Sequence, residues 1–284
     1  MSAATVLHSV AKPFVKSAGG KTQLLPVLMP ILLSQPFNAY HEPFVGGGAV
    51  FFALRATFRG KAFLADSNSD LMDAYRAVRD YPLLLIGMLQ EHREKSSEEY
   101  FKKVRRWQDH PEVHYDTDLG RAARMVYLSK TAFNGLWRTN QKGEFNTPWG
   151  KYENPNICDA PRIHACHHAL KGTDVRCEDF RQSALRVREG DLVYMDPPYV
   201  PTSKTSNFVG YGRDGFDERD QRDLAETFRE LAARGARVAL SNADCELVRE
   251  LYNGFNIHEV SARRSINSKG GNRGPVGEVV VTNF

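Results

Sequence analysis

The sequence contains few cysteines and no apolar run long enough to cross a membrane. Its four cysteines form no Cys-x-x-Cys pair, a usage that predicts reduced thiols in a cytoplasmic protein rather than a disulfide scaffold. The longest apolar candidate, residues 24–33, is interrupted by Pro26 and Pro30 and falls short of the roughly 20 residues of a spanning helix. The N-terminus lacks the basic, apolar and small-residue succession of a secretory signal. We therefore expect no membrane contact.

Metal-ligand spacing is also missing, although histidines and cysteines gather between residues 164 and 177. The group consists of His164, Cys166, His167, His168 and Cys177. Because its spacing fits no common zinc pattern, we predict no metal site.

The composition is that of a globular protein with a mild basic bias. The chain has 284 residues, of which 42% are hydrophobic and 25% charged, with a formal net charge of +4. This length suits one large domain, or one domain with an insertion. The charge is compatible with nucleic acid as a partner but does not require it.

One stretch of the chain ends a predicted buried strand with an acid, two prolines and a ring. Residues 193–195 are apolar and are followed by Asp196, Pro197, Pro198 and Tyr199. Neither proline has an N–H to donate, so the chain must leave the sheet at its carboxyl edge, where α/β sheets place their ligand crevices. A carboxylate, backbone carbonyls and a ring face suit a flat substrate that carries an amine.

A second candidate site follows an earlier predicted strand. The glycine turn at 42–48 and the apolar helical pattern at 49–59 resemble the first βα turn of a nucleotide-binding sheet. Phe51 occupies the place of the third glycine in the dinucleotide fingerprint. Asp66 ends the next predicted strand, where an acid can accept from both ribose hydroxyls of an adenosine ligand.

The segment 16–22 ends in Gly-Lys-Thr, as a phosphate-binding P-loop does. Val15 stands where that motif needs its earlier glycine. We favour a glycine turn that gives a ligand close access to the backbone, with an ATPase as the alternative.

The pattern changes between residues 71 and 169. Predicted helices at 83–94, 98–108 and 121–130 carry much of the basic charge, although interleaved acids are equally typical of solvated helix faces. The Asn134-Gly135 dipeptide predicts a hairpin turn. Such a hairpin would present four side chains together: Phe133, Leu136, Trp137 and Arg138. These could unstack and recognise a base step, or form the hydrophobic rim of an ordinary hairpin.

The last part of the chain returns to an α/β pattern. Strands are predicted at 175–180, 193–195, 237–241, 258–266 and 278–284. Asp217 is predicted to cap a helix that Gly235 ends. The polar stretch 202–215 is long enough to be a lid, and the basic, glycine-rich loop 267–273 suits phosphate contact.

Four motifs occur in one order along the chain. They are Lys-x-Ala-Gly-Gly-Lys at 16–21, Glu-Pro-Phe-Val-Gly-x-Gly at 42–48, Leu-Ala-Asp at 64–66 and Asp-Pro-Pro-Tyr at 196–199. In this order, and with Asn-Gly-Leu-x-Arg at 134–138 and Arg-Ser-Ile at 264–266, the sequence resembles the DNA adenine methyltransferase (Dam) family over nearly its whole length. Members of that family transfer a methyl group from S-adenosylmethionine to adenine N6.

The resemblance implies a fold and a division of the chain. The expected fold is a Rossmann-like, doubly wound methyltransferase sheet of seven strands, the last antiparallel, with an inserted, mainly helical target-recognition domain. Residues 1–70 and 170–284 would form the two halves of the catalytic domain, and residues 71–169 the insertion.

The resemblance also implies site residues. Cofactor contacts would fall on Ser17, Ala18, Gly19, Lys21, Glu42, Phe44, Gly46, Gly48, Asp66, Asp179, Phe180 and Asp196. A flipped adenine would lie against Asp196, Pro197, Pro198 and Tyr199, with direct in-line transfer and no metal. DNA contacts would fall on Lys16, Phe133, Asn134, Leu136, Arg138, Asn140, Pro148, Arg264, Asn267, Lys269 and Arg273.

In the resemblance, individual DNA contacts have individual roles. Lys16 matches the lysine that contacts the first guanine of a GATC site, and Arg138 the arginine that contacts the guanine paired with the last cytosine. Leu136 and Pro148 match contacts to thymine methyls, and Phe133 matches an aromatic ring that inserts into the duplex.

Two positions depart from the family pattern. Ser17 stands where relatives often have Trp, which puts a stacking contact near the cofactor in doubt. Phe133 replaces a Tyr, so the ring is kept and its hydroxyl is lost.

We expect a monomeric DNA adenine-N6 methyltransferase that acts on duplex DNA, most simply at GATC. Related (Asn/Asp)-Pro-Pro-Tyr sites methylate RNA bases or protein glutamine, and a non-catalytic DNA-binding subunit of a restriction–modification system could keep the same fold. The hairpin and the basic loop favour duplex DNA, and the intact Asp196, Tyr199 and Asp66 favour an enzyme.

Overall fold

The computed structural model describes residues 11–16, 19–109, 117–140, 142–200, 216–260 and 277–284. Several predicted features lie outside these ranges. They are Ser17, Ala18, the polar stretch 202–215, and the loop contacts Arg264, Asn267, Lys269 and Arg273.

The described residues form one seven-stranded sheet. Its strands are β1 (Tyr40–Glu42), β2 (Ala62–Asp66), β3 (Asp174–Cys177), β4 (Leu192–Met195), β5 (Arg237–Ala243), β6 (Asn256–Val260) and β7 (Glu278–Thr282). They lie in the order β3-β2-β1-β4-β5-β7-β6; β7 runs antiparallel to both of its neighbours, β5 and β6, and the other described pairs are parallel. The predicted doubly wound sheet with an antiparallel last strand is confirmed. The order reverses between β1 and β4, where such sheets place their ligands.

Helices cover both faces of the sheet. Those described are α1 (Leu25–Leu32), α2 (Ala49–Leu54), α3 (Ser69–Asp80), α4 (Pro82–Lys95), α5 (Glu98–Arg105), α6 (Asp118–Thr131), α7 (Ala160–Leu170), α8 (Phe180–Ala184), α9 (Glu218–Ala233) and α10 (Glu246–Leu251). Alternate side chains of a strand face opposite sides. Tyr194 therefore lies in a core with α1 to α7, whereas Val193 and Met195 lie in a second core with α8 to α10.

Local capping explains where several of the described helices begin. The hydroxyls of Ser97 and Thr117 accept from backbone amides at the starts of α5 and α6, and Asp217 forms a capping box at the start of α9, as predicted. Gly235, with φ of 82°, follows the end of α9. The helix predicted at 49–59 is shorter, because α2 ends at Leu54. The helix α3 crosses the predicted domain boundary at residue 70. The division of the chain into domains stays a prediction.

The hairpin predicted at Asn134-Gly135 is wrong in its position. These residues have φ of 55° and 65° and belong to the short 3-10 turn Phe133–Gly135 that directly follows α6. Both left-handed conformations that the dipeptide favours are present. They turn the chain away from a helix instead of joining two strands.

Antiparallel pairing occurs a few residues later. Thr139 pairs with Phe145, and the turn between them is closed by a hydrogen bond from the Gly143 amide to the Asn140 carbonyl. The Asn140 side chain also accepts from the amides of Lys142 and Glu144, at 2.9 and 3.0 Å. An Asn side chain that bonds its own turn, followed by a glycine with φ of 80°, fixes the turn here.

Candidate active site at the carboxyl edge of the sheet

Three carboxylates stand at the carboxyl ends of neighbouring parallel strands. Glu42 ends β1, Asp66 ends β2 and Asp196 directly follows β4. Because β1 lies between β2 and β4, the three acids meet at one edge of the sheet. Burial raises the pKa of Glu42, and the charges of the other two acids raise it further. The predicted crevice thus has its acidic residues in one place.

Asp66 holds the glycine turn that follows β1. Its Oδ2 accepts from the Gly46 amide at 3.1 Å and its Oδ1 from the Asn68 amide at 3.0 Å. Burial raises the pKa of this carboxyl, while the backbone amides oppose the shift. Each oxygen has a second lone pair, so Asp66 can still accept hydrogen bonds from the hydroxyl groups of a ligand.

Tyr75 also holds the glycine turn that follows β1, a role that the sequence did not indicate. Its hydroxyl donates to the Gly46 carbonyl at 3.1 Å. Gly48 has φ of 72°, and a Cβ atom there would lie 2.3 Å from the Tyr75 hydroxyl oxygen. Gly48 is therefore required both by its backbone conformation and by the approach of this ring.

Lys21 faces Asp196 across the crevice. Its Nζ lies 2.8 Å from Oδ1 of Asp196 and 4.6 Å from the centre of the Tyr199 ring, and donates to the Gly19 carbonyl at 3.1 Å. Apart from this close contact with Lys21, the buried Oδ1 has no hydrogen-bond partner among the described residues. The Asp196 side chain as a whole is 20% exposed. Burial raises the pKa of Asp196, and Lys21 opposes that shift.

The Tyr199 ring is held at its far end by Glu278. The phenol donates to Oε2 of Glu278 at 3.1 Å. Glu278 is the first residue of β7, which begins at this edge of the sheet because it runs antiparallel to β5. Lys21 over its face and Glu278 at its hydroxyl thus hold the ring at two points. Sequence reasoning missed Glu278.

Glu42 is the most deeply buried of the strand-end acids. It is 2% exposed, and Oε2 accepts from the Tyr40 hydroxyl at 2.8 Å. Burial raises the pKa of Glu42 well above its ordinary value, and the charges of Asp196 and Asp66 raise it further. The ionised form of Glu42 therefore costs folding stability.

We expect Glu42→Gln to raise the melting temperature at neutral pH by about 2–4 °C, the shift that accompanies roughly 1 kcal/mol in a domain of about this size. The folded protein binds an extra proton between the unfolded-state pKa, near 4.5, and the higher folded-state pKa, so wild-type stability falls as the pH rises through this window. The gain in melting temperature should be complete above this pH range and absent below it. Calorimetry over this pH range measures the effect, and an equal gain at every pH would contradict it.

The predicted contacts Phe44 and Phe180 lie side by side. Their ring centres are 5.5 Å apart, and Phe216 packs against both at 5.8 and 6.0 Å. Phe180 is 2% exposed and belongs to the core, whereas Asp179 is exposed and caps α8 by accepting from the Arg181 amide at 2.8 Å. The structure thus shows packing and capping for this pair, and ligand contact stays a prediction.

A second group of predicted residues lies together at the end of α6. The Lys16 ammonium donates to the Tyr152 hydroxyl at 3.2 Å and lies 4.7 Å from the centre of that ring. The same hydroxyl accepts from the Asn134 amide at 3.0 Å. A Cβ atom on Gly135 would lie 2.6 Å from Cγ of Lys16. Tyr152, which sequence reasoning also missed, joins Lys16 to the 133–138 segment.

The remaining predicted DNA contacts differ in exposure. Phe133 is 50% exposed, and Arg138 and Pro148 are exposed, with Arg138 Nε donating to Oδ1 of Asn146 at 2.9 Å. Leu136 is half-buried, and Asn140 forms the turn described above.

The position of Trp137 contradicts the prediction that four side chains form one hairpin rim. The four side chains Phe133, Leu136, Trp137 and Arg138 were expected to be presented together, but Trp137 packs inward at 4.7 Å from the Phe145 ring centre.

The described ranges contain no helix long and apolar enough to cross a membrane. Nor do they contain a group of three or more His, Cys, Asp or Glu side chains that could hold a metal ion. All four cysteines are free thiols.

The sequence matches one protein family over most of its length. The sequence model of that family, described as D12 class N6 adenine-specific DNA methyltransferase, matches residues 17–266. The match includes every strand-end acid of the crevice and the segment 133–138.

Three relatives show how far the similarity extends. A type II methyltransferase of Lactococcus lactis subsp. cremoris, M1.LlaDCHI, is 39% identical over 96% of this chain and 95% of its own. A type II methyltransferase of Methanocaldococcus jannaschii, M.MjaIII, is 40% identical over 96% and 99%. The DNA adenine methylase of Escherichia coli strain K12 is 36% identical over 95% and 94%.

Proposed function

This chain belongs to the D12 class of N6-adenine-specific DNA methyltransferases, and from that premise we propose that it methylates adenine in duplex DNA at GATC, with S-adenosylmethionine as the methyl donor. The proposal includes a monomeric protein acting in the cytoplasm. The observation that carries it is the Asp-Pro-Pro-Tyr loop, where the Asp196 carboxylate, paired with Lys21, stands at the crevice beside a Tyr199 ring that bonds Glu278.

The chemistry requires acceptors for the adenine amino group. The N6 lone pair is delocalised into the ring, which makes the nitrogen a poor nucleophile. Asp196 and the Pro197 carbonyl can each accept one N6 hydrogen, so that the nitrogen becomes tetrahedral and its lone pair points at the methyl group. Tyr199 then stacks on a base that has left the duplex. S-adenosylmethionine would supply the methyl group in line with this lone pair; the electron pair of the C–S bond would stay on sulfur as the C–N bond forms, and the surplus N6 proton would pass to solvent.

The glycine turn and its neighbours suit the methyl donor. Gly46 and Gly48 leave the backbone open, and Asp66 can accept from the ribose hydroxyls. Phe44, Asp179 and Phe180 would contact the adenine of this methyl donor. The other proposed donor contacts are Ser17, Ala18, Gly19, Lys21 and Glu42. When bound, S-adenosylmethionine supplies an electrophilic methyl group on a sulfonium cation, whose charge the acids of the crevice favour.

DNA recognition is proposed for residues 71–169, together with Lys16, Arg264 and the predicted loop 267–273. Phe133 is exposed enough to insert between bases, and Arg138 can bond both acceptors of a guanine in the major groove. Leu136 and Pro148 would contact thymine methyls. Asn134, Asn140, Arg264, Asn267, Lys269 and Arg273 would complete the set of DNA contacts. The name of the Escherichia coli relative, a DNA adenine methylase, supports adenine in DNA as the acceptor.

Transfer of labelled methyl groups tests the proposal directly. Purified protein is incubated with labelled S-adenosylmethionine and matched duplexes that contain GATC, a scrambled site, or GATC already methylated on both strands. Label should enter only the unmethylated GATC duplex. Equal labelling of the first two would overturn the site specificity, and labelling of neither would overturn the activity. An RNA duplex of the same sequence tests RNA as the alternative acceptor.

A further inference from the structure

Two buried amide side chains, Gln221 and Asn242, lie behind the Asp-Pro-Pro-Tyr loop. Gln221 is 3% exposed in the first turn and a half of α9, and Asn242 is fully buried near the end of β5. Burying two amides is unfavourable unless their donors and acceptors are paired. We call these two residues the amide pair. No role assigned above uses them.

The amide pair forms a continuous set of hydrogen bonds to the loop. Gln221 Nε2 donates to the Pro198 carbonyl at 2.8 Å, and Gln221 Oε1 accepts from Asn242 Nδ2 at 3.0 Å. Asn242 Oδ1 accepts from the Val200 amide at 3.2 Å and from the Ala243 amide at 2.8 Å. Turning either amide over would set like groups against each other, so both orientations are determined by the backbone.

These bonds reach the loop on both sides of Tyr199. The Pro198 carbonyl precedes this residue and the Val200 amide follows it. Pro197 and Pro198 have no N–H, so this segment cannot be held by the usual ladder bonds of a sheet. The amide pair therefore fixes the backbone of Tyr199, while Glu278 fixes its hydroxyl.

We propose that Gln221 and Asn242 are positioning residues for methyl transfer. They hold the Pro198 carbonyl and the Val200 amide so that the Pro197 carbonyl and the Tyr199 ring meet the adenine in a reactive geometry. The inference rests on the proposed function, because it names residues that serve the same site. A displacement of about 1 Å at reacting groups can slow a reaction by up to about 100-fold, which makes such support necessary.

Two substitutions at Gln221 test the proposal. Gln221→Met keeps the length of the side chain and removes its donor without introducing a charge, and Gln221→Glu places an oxygen against the Pro198 carbonyl. We expect each to lower the single-turnover rate of methyl transfer by about tenfold or more, with affinities for S-adenosylmethionine and duplex DNA within about twofold of wild type.

Thr227→Val is the matched control on the same helix. Thr227 is also buried, and its hydroxyl donates to the Asp223 carbonyl at 2.9 Å, away from the loop. Its loss should lower the melting temperature without changing the rate of transfer by more than about twofold. If the Gln221 variants lose rate only in proportion to their loss of folded protein, as a purely structural residue would, the positioning role is overturned.

Hydrogen exchange of the segment 196–200 gives a readout that does not depend on activity. Only Asp196, Tyr199 and Val200 carry amide hydrogens there. We expect faster exchange in this segment for both Gln221 variants and unchanged exchange for Thr227→Val. Unchanged exchange in the Gln221 variants would overturn the inference. If wild-type protein transfers no methyl group to GATC, the proposed function fails, and exchange alone then decides whether the amide pair holds the loop.

Discussion

Asp196→Ala is expected to lower the single-turnover rate of methyl transfer about a thousandfold, with duplex affinity within about twofold of wild type. The substitution removes the acceptor that would take one N6 hydrogen, and the Lys21 ammonium is the one described polar partner that Oδ1 would lose. An acceptor of this kind acts most strongly in the transition state, so the loss should appear in the rate and hardly in binding. Rapid-quench measurements with labelled S-adenosylmethionine, paired with DNA-binding titrations, provide both quantities.

Asp196→Asn is the matched control for this prediction. It keeps the shape of the side chain and one carbonyl oxygen, so we expect a smaller loss of rate than with alanine. Both variants leave the Lys21 ammonium without its ion pair, and their melting temperatures show whether that change destabilises the fold. If Asp196→Ala loses DNA binding and turnover together, Asp196 is structural and the proposed mechanism fails.

The residues found from the sequence have local signals. Asp66 and Asp196 each follow an apolar run at a point where a turn or a proline ends the strand, and the glycine turn lies at the start of an apolar helical pattern. Such signals depend on neighbours along the chain. They were sufficient to predict that Asp196 lies at the carboxyl edge of the sheet and that Asp66 ends a strand.

The residues that were missed act across long separations. Glu278 lies 79 positions from Tyr199, and Gln221 and Asn242 lie 23 and 42 positions from the loop residues that they bond. For a glutamine in a helix or an asparagine near a strand end, no local sequence feature indicates which residue the side chain will bond. Tyr152 was missed for the same reason, because it contacts Lys16 only once the chain has folded.

The misplaced hairpin shows a limit of turn propensity. Asn134-Gly135 adopts the left-handed conformations that the pair favours, yet the chain there leaves α6 and does not reverse between two strands. Asn140 forms the hairpin turn through bonds of its own side chain to two following amides. A dipeptide therefore predicts backbone conformation more safely than it predicts which segments pair.

We expect Arg138→Ala to reduce discrimination at one guanine of the site by about 1–3 kcal/mol, or roughly 5- to 150-fold in the ratio of kcat/KM values. Arg138 is exposed, and its Nε bonds Oδ1 of Asn146, which orients the guanidinium plane. The two terminal amino groups can then donate to O6 and N7 of guanine, a bidentate contact that other base pairs cannot match. The measurement compares GATC with duplexes altered at its last base pair, for wild type and variant.

Lys142→Ala separates recognition of a base from attraction to phosphate. Lys142 is an exposed cation in the neighbouring hairpin turn, so its loss should weaken binding to all duplexes alike and leave the ratio between sites unchanged. Arg138→Ala should instead weaken the GATC duplex far more than the altered one. If both variants lower affinity equally for every sequence, Arg138 contributes charge alone, and the guanine must be recognised by another residue.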